Sequence, residues 1–335
     1  MTTPYFLTYP PRPLDESKDN SQTRHVLIFF ISGNPGLIDY YEPFMSTLRQ
    51  LIDEAASLQH VRFQIYGQDL AGFRDEDHEP FNSKRKPHDL EYQIQYTSKA
   101  LGRLRIESGP RIGSPYDEVL LIGHSVGAYM ALELFQRNLR NPDSDSHLNL
   151  TSSILLFPTI NNISNSSNGW KMDLLRRTPL LGDNAYRFAQ GFLHICPQPA
   201  LKWIVHNVAG IPAQNGDITV KWLKSRDGVW QALHMGMDEM KVIGEDRWDD
   251  ELWEICHDAQ VRHKVVPKFF FFFGKDDEWV ARRHRDEFIE KRQKNVERTK
   301  VIIDDGDIPH AFCIHHSETV AEKVSTWIGE MYNKE

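Results

Sequence analysis

Apolar and polar positions follow two rhythms along this chain. Val26 to Ile31 is a continuous apolar, β-branched and aromatic run, the mark of a strand covered on both faces. Val61 to Tyr66, residues 118–122, Ser153 to Phe157, Phe269 to Phe273 and Val301 to Ile303 read as further strands, and Tyr5 to Tyr9 as an edge strand. Between them the spacing turns helical. Phe44, Leu48, Leu51, Ile52 and Ala55 share one face, as do Leu90, Ile94, Thr97, Leu101 and Leu104. After the last strand, Val320, Val324, Trp327, Ile328 and Met331 mark a C-terminal helix. The order β-α-β-α-β-α-β up to Phe157 predicts the α/β class: a mostly parallel central sheet flanked by helices, with right-handed crossovers.

That rhythm stops from Pro158 to about His257, a span far longer than an ordinary connection between helix and strand. The span holds six of the eight tryptophans, at 170, 203, 222, 230, 248 and 253, so it is no polar linker. Leu201, Ile204, Val205 and Val208 form one helical stripe, and Val229, Leu233, Met237 and Met240 a second. The expected organisation is a core of residues 1–157 and 258–335 with a helical cap, 158–257, inserted after the strand at 153–157. The two stripes pack on the body, or leave an apolar cap face above a site.

Composition narrows the partners. A net charge of -8 with mixed signs carries no nucleic-acid footprint, and the 15 histidines show no metal-ligand spacing. The start Met1-Thr2-Thr3-Pro4 lacks a basic segment followed by an apolar one, so no secretory signal is expected. Cys196, Cys256 and Cys313 then read as reduced thiols. The glycosylation patterns at Asn149, Asn162 and Asn165 read as solvent-facing loops. No run reaches the ~20 apolar residues that span a bilayer, so membrane contact is expected to be peripheral.

Chemistry concentrates at Gly123-His124-Ser125-Val126-Gly127, set between a strand and a helical pattern. This is the context of a nucleophile elbow, in which a serine on a strained turn stands at the sheet's carboxyl edge and Gly123 and Gly127 leave room for the turn. A serine hydroxyl needs a base, and the base an orienting carboxylate. In the α/β-hydrolase order these follow late strands, where Asp277 and His310 stand. Asp276 competes with Asp277, which is preferred for its place in Gly274-x-x-Asp277-x-x-Val280. His124 reads as a turn-shaping residue, and His315 and His316 as surface residues. The oxyanion donors are expected from the backbone of Val126 and of Asn34, the latter in Ser32-Gly33-Asn34-Pro35-Gly36, where Pro35 has no N–H.

Ser32-Gly33-Asn34-Pro35-Gly36 with Tyr40-Tyr41, Gly123 to Tyr129, Leu156 to Ile160, Ser167-Asn168-Gly169-Trp170 and Ile308-Pro309-His310-Ala311-Phe312 together resemble the lipid droplet-associated hydrolases, from about Val26 to the C-terminal helix. Ser32 and Ser167 stand where that family more often has proline. The resemblance implies a serine hydrolase of neutral-lipid esters, such as sterol esters or triacylglycerols. It implies residence on lipid droplets and the endoplasmic reticulum, with Ser125, Asp277 and His310 as nucleophile, acid and base. No metal or organic cofactor is required. Two rival readings stay open: a weakly catalytic or non-catalytic droplet-surface scaffold, and a soluble esterase for small esters.

Overall fold

The computed structural model describes residues 4–13, 23–141, 148–179, 181–248, 250–253, 267–292 and 299–333. Seven strands form one sheet: β1 (Phe6–Tyr9), β2 (Arg24–Ile31), β3 (Val61–Gln68), β4 (Glu118–His124), β5 (Leu150–Leu156), β6 (Lys268–Phe273) and β7 (Thr299–Ile303). They lie in the order β1-β3-β2-β4-β5-β6-β7. All neighbours run parallel except β1, which pairs antiparallel with β3 at the edge.

Burial explains why the strands are apolar throughout. In β6, alternate side chains meet opposite layers: Phe269 and Phe271 pack on Trp253, and Phe270 and Phe272 on Trp327. Trp327 belongs to the C-terminal helix (Ser317–Tyr332), which also packs on α1 (Glu42–Glu54). Helix α2 (Leu90–Leu101) starts where Asp89 accepts a hydrogen bond from Tyr92 N–H at 2.8 Å, a side-chain N-cap. The elbow helix α3 (Val126–Arg140) follows β4.

After β3 the chain returns to the other side of β2, so β2 and β4 are neighbours that feed loops in opposite directions. At such a switch point the carboxyl ends of the strands leave a crevice. Ser32 to Gly36 leaves β2 there, and the elbow leaves β4.

Between β5 and β6 the insertion holds α4 (Gly169–Arg177), α5 (Leu181–Ile195), α6 (Gln198–Trp203), α7 (Ala213–Leu223) and α8 (Gly228–Val242). Its expected end at about His257, with Cys256, falls outside the described residues. Both predicted apolar stripes are redistributed. Ile204–Val208 is a π-helical turn, with Ala209 N–H reaching Ile204 O at 3.0 Å. The extra residue in that turn leaves Leu201 and Val205 buried with Val220 but turns Ile204 and Val208 outward. In α8 the buried face is Val229, Met235, Gly236, Glu239 and Met240, while Leu233 and Met237 are half-buried. Polar partners set that rotation: Gln231 accepts from His88 N–H and donates to His88 O, each at 2.8 Å.

Candidate active site

The elbow is built by exclusion of side chains. A Cβ at Gly123 would lie 2.4 Å from Gly127 O, and one at Gly127 would lie 2.3 Å from Ile31 O, both backbone contacts that cannot yield. Ser125 sits between them with φ 56° and ψ -123°, a conformation that costs a non-glycine residue of order 1–3 kcal/mol. Its N–H is held by Leu156 O at 3.0 Å. Phe157, the next residue of that neighbouring strand end, also has positive φ, 46°, and stacks on Phe312 at 5.7 Å between ring centres. Two strained residues therefore lie side by side at the carboxyl edge of the sheet.

His310 arrives from the loop after β7. Buried Asp304 shapes that loop by accepting from Gly306 N–H and Ile308 N–H, each at 3.1 Å. Asp277 comes from the loop after β6, where its Oδ1 accepts from Trp279 N–H at 2.8 Å. Three side chains from three strand ends then form one row. His310 Nδ1 lies 2.7 Å from Asp277 Oδ2, and His310 Nε2 lies 2.8 Å from Ser125 Oγ. A carboxylate only accepts, so the ring proton is on Nδ1 and the Nε2 lone pair faces the serine hydroxyl. The Asp277 side chain is 2% exposed and that of His310 15%, so the row lies largely out of water. Asp276 points elsewhere and pairs with Arg282 on the surface. His315 is exposed and His316 half-buried.

The loop after β2 lies against the elbow. A Cβ at Gly33 would sit 3.1 Å from both Ser125 Cβ and His124 Nδ1, which brings the Gly33-Asn34 backbone beside the serine. Val126 opens α3, where first-turn N–H groups have no acceptor within the helix. Farther along the same loop, Asp69 accepts from Ile38 N–H at 2.7 Å, and Arg74 clamps Asp69 and Asp39. The Asn34 side chain turns the other way: Nδ2 donates to Ala232 O at 3.0 Å and to Glu239 Oε1 at 3.1 Å, both in α8. Glu239 is buried, and loss of hydration raises its pKa to about 8.

Pattern reading does not find Glu239, Phe157 or the partners of His124. Glu239 gives no signal in the sequence, because α8 also carries Gln231, His234, Asp238 and Lys241. Of the glycosylation-type asparagines, Asn149 and Asn165 are exposed. Asn162 is half-buried, and its N–H is tied to Gly244 O at 2.7 Å. Among the described residues, Asp75, His78 and Asp227 offer ligand atoms within 4.8 Å of one another. Arg226 Nε already donates to Asp227 Oδ2 at 2.7 Å, and Phe81 N–H to the same oxygen at 3.1 Å, so a guanidinium balances that charge. Cys196 and Cys313 are free thiols.

A mostly parallel sheet with the elbow serine at its switch point defines an α/β-hydrolase. Solved structures agree: a peroxisomal α/β-hydrolase of Saccharomyces cerevisiae aligns with TM-score 0.57 at 14% identity, covering 98% of this chain and 89% of that one. The juvenile hormone epoxide hydrolase of the silkworm Bombyx mori aligns at 0.58 and 12%, covering 97% and 72%. At these identities the likeness concerns the fold alone. The family described as lipid-droplet associated hydrolase matches residues 24–313, and the chain belongs to that family. Relatives named lipid droplet-associated hydrolase include those of Mus musculus, 27% identical over 94% of this chain and 88% of the relative, and of Dictyostelium discoideum, 26% identical over 92% and 89%. Among the described residues, no helix is long and apolar enough to cross a membrane.

Proposed function

We propose that this hydrolase cleaves neutral-lipid esters, sterol esters or triacylglycerols, through an acyl-enzyme on Ser125. The reading rests above all on the Ser125–His310–Asp277 row, with contacts of 2.8 and 2.7 Å. His310 Nε2 takes the Ser125 proton as Oγ attacks the acyl carbonyl, and Asp277 steadies the imidazolium. The N–H groups of Asn34 and Val126 hold the oxyanion, a contribution of about 3 kcal/mol per donor in comparable sites. His310 then gives its proton to the departing alcohol. Water, activated by the same ring, releases the fatty acid.

Neutral-lipid specificity and residence at droplets, with the cytosolic face of the endoplasmic reticulum, draw on two observations. The relatives carry lipid-droplet names. The insertion, residues 158–257, which we assign as a cap, also exposes large apolar side chains on successive helices. Trp170 and Leu174 are exposed on α4, Phe188, Phe192 and Ile195 on α5, and Trp203 on α6. Exposed large apolar side chains clustered in one segment mark a contact surface.

Labelling by a fluorophosphonate probe tests the nucleophile: it is expected in the wild type and absent in Ser125→Ala. Unchanged labelling of the folded Ser125→Ala protein would remove the assignment. Turnover of emulsified triolein and cholesteryl oleate beside a soluble short-chain ester separates the lipid reading from a small-ester esterase. Failure to turn over any of them, with droplet binding intact, favours a scaffold.

A further inference from the structure

Behind the row of Ser125, His310 and Asp277 runs a second chain of hydrogen bonds that the proposed reaction does not use. Gly33 N–H reaches Tyr41 Oη at 3.1 Å, Tyr41 Oη lies 2.7 Å from His124 Nδ1, and His124 Nε2 lies 2.8 Å from His310 O. Chemistry fixes every direction in it. Gly33 N–H can only donate and the His310 carbonyl can only accept. His124 therefore carries its proton on Nε2 and presents a lone pair at Nδ1, and the Tyr41 hydroxyl accepts from Gly33 while donating to His124. The chain is polar from end to end, with Tyr41 and His124 both buried.

We propose that Tyr41 and His124 are positioning residues that hold the oxyanion loop at Gly33-Asn34 and the backbone of His310 in register across the elbow. The inference rests on the ester-hydrolase reading given above for Ser125. The oxyanion loop, the elbow and the histidine loop come from three different strands, and the Tyr41–His124 pair ties all three together. The oxyanion donor at Asn34 is next to the Gly33 amide that Tyr41 holds, and the base is the residue whose carbonyl His124 holds.

Two further observations fit a neutral His124. Its pKa is lowered to about 3, by burial first and then by the proximity of His310. The two imidazole rings lie 5.2 Å apart between centres. When His310 becomes an imidazolium in the reaction, a second cation at that distance would oppose it, and a neutral His124 does not. Tyr41 is placed by packing of its ring on Phe30 and Phe312, at 4.6 and 6.1 Å. Tyr41→Phe therefore removes the hydroxyl and leaves the packing.

Wild type, Ser125→Ala, Tyr41→Phe, His124→Leu and His124→Gln are compared by fluorophosphonate labelling rate and by hydrolysis of p-nitrophenyl butyrate. Tyr41→Phe and His124→Leu are expected to lower the labelling rate and kcat by about 10- to 100-fold, the scale of a small misplacement of reacting groups, with KM within about twofold. His124→Gln is expected to recover most of that loss, because its amide can donate to His310 O and accept from Tyr41. Tyr41→Phe reacting at the wild-type rate overturns the proposal, and it remains decisive if circular dichroism shows His124→Leu unfolded. Wild type that is not labelled at Ser125 overturns the ester-hydrolase reading instead. The network is then judged by histidine 15N NMR. The His310 ring 15N signals should shift in His124→Leu and keep their wild-type positions in His124→Gln, and no shift in either variant overturns it.

Discussion

Glu239 shows how a single buried residue ties the insertion to the site and what that does to stability. Its carboxyl is a neutral acid in the folded protein at pH 7, with a pKa near 8, against about 4.3 for an unperturbed glutamate. The folded chain therefore binds a proton that the unfolded chain releases. Stability contributed at low pH is lost as pH rises from about 4.3 to about 8, then levels off. Glu239→Gln keeps an acceptor for Asn34 Nδ2 and removes the titration. The difference in Tm, variant minus wild type, is expected to grow from pH 5 to pH 8, corresponding to a few kcal/mol by linkage. Parallel Tm curves at pH 5, 6.5 and 8 would contradict it. None of this was legible in the sequence, where Glu239 is one acid in Asp238-Glu239. Its burial depends on the helix rotation set by Gln231 and on Asn34, 205 residues away. That Ser125, Asp277 and His310 would meet was legible because Ser125 and His310 are the first nucleophile and the first base after their strands, Asp277 was favoured over the preceding Asp276 by Gly274-x-x-Asp277-x-x-Val280, and a parallel sheet brings successive strand ends to one edge.

At the scale of elements, α5 reverses the usual arrangement of an amphipathic helix. Phe188, Phe192 and Ile195 recur at i, i+4 and i+7, yet they are 66%, 66% and 84% exposed. A stripe that faces outward in the folded chain is suited to an interface. If α5 enters a lipid monolayer, burying each of these side chains contributes about 1.5–3 kcal/mol. Replacing all three by Ser is expected to lower partition onto phosphatidylcholine-coated triolein droplets more than about tenfold, as tenfold needs only 1.4 kcal/mol. Labelling of Ser125 in solution should be unchanged, because all three side chains face outward. Equal flotation of variant and wild type would refute the role of α5. Sequence periodicity located helices in the insertion but misplaced their faces. A 3.6-residue template has no means of anticipating the π turn at Ile204–Val208, and the α8 face follows from polar contacts with His88 and Asn34.

For the whole molecule, the insertion divides into parts held to the sheet to different degrees. Helix α8 is fastened to the body at several polar points: Asn34 to Ala232 and Glu239, Gln231 to both backbone groups of His88, and Leu90 N–H to Asp238 Oδ2 at 3.0 Å. Helix α7 is tied to the body as well, Asn215 Nδ2 donating to Cys313 O at 3.0 Å and Thr219 Oγ1 lying 2.8 Å from Tyr40 Oη, whereas α6 packs on it through a small cluster of Leu201, Val205 and Val220, and α5 leaves its apolar stripe uncovered. Local opening follows the amount of buried apolar contact, so the insertion should not open as one rigid lid. Hydrogen–deuterium exchange is expected to be slowest in β2, β4, β5 and β6, nearly as slow in α8, and fastest in α5 and the Ile204–Val208 turn. Adding phosphatidylcholine-coated triolein droplets should slow α5 and that turn while leaving the sheet and α8 unchanged. Exchange of α8 in step with α5, with and without droplets, would mean that residues 158–257 move as a single cap and that the Asn34–Glu239 contact breaks whenever the site opens.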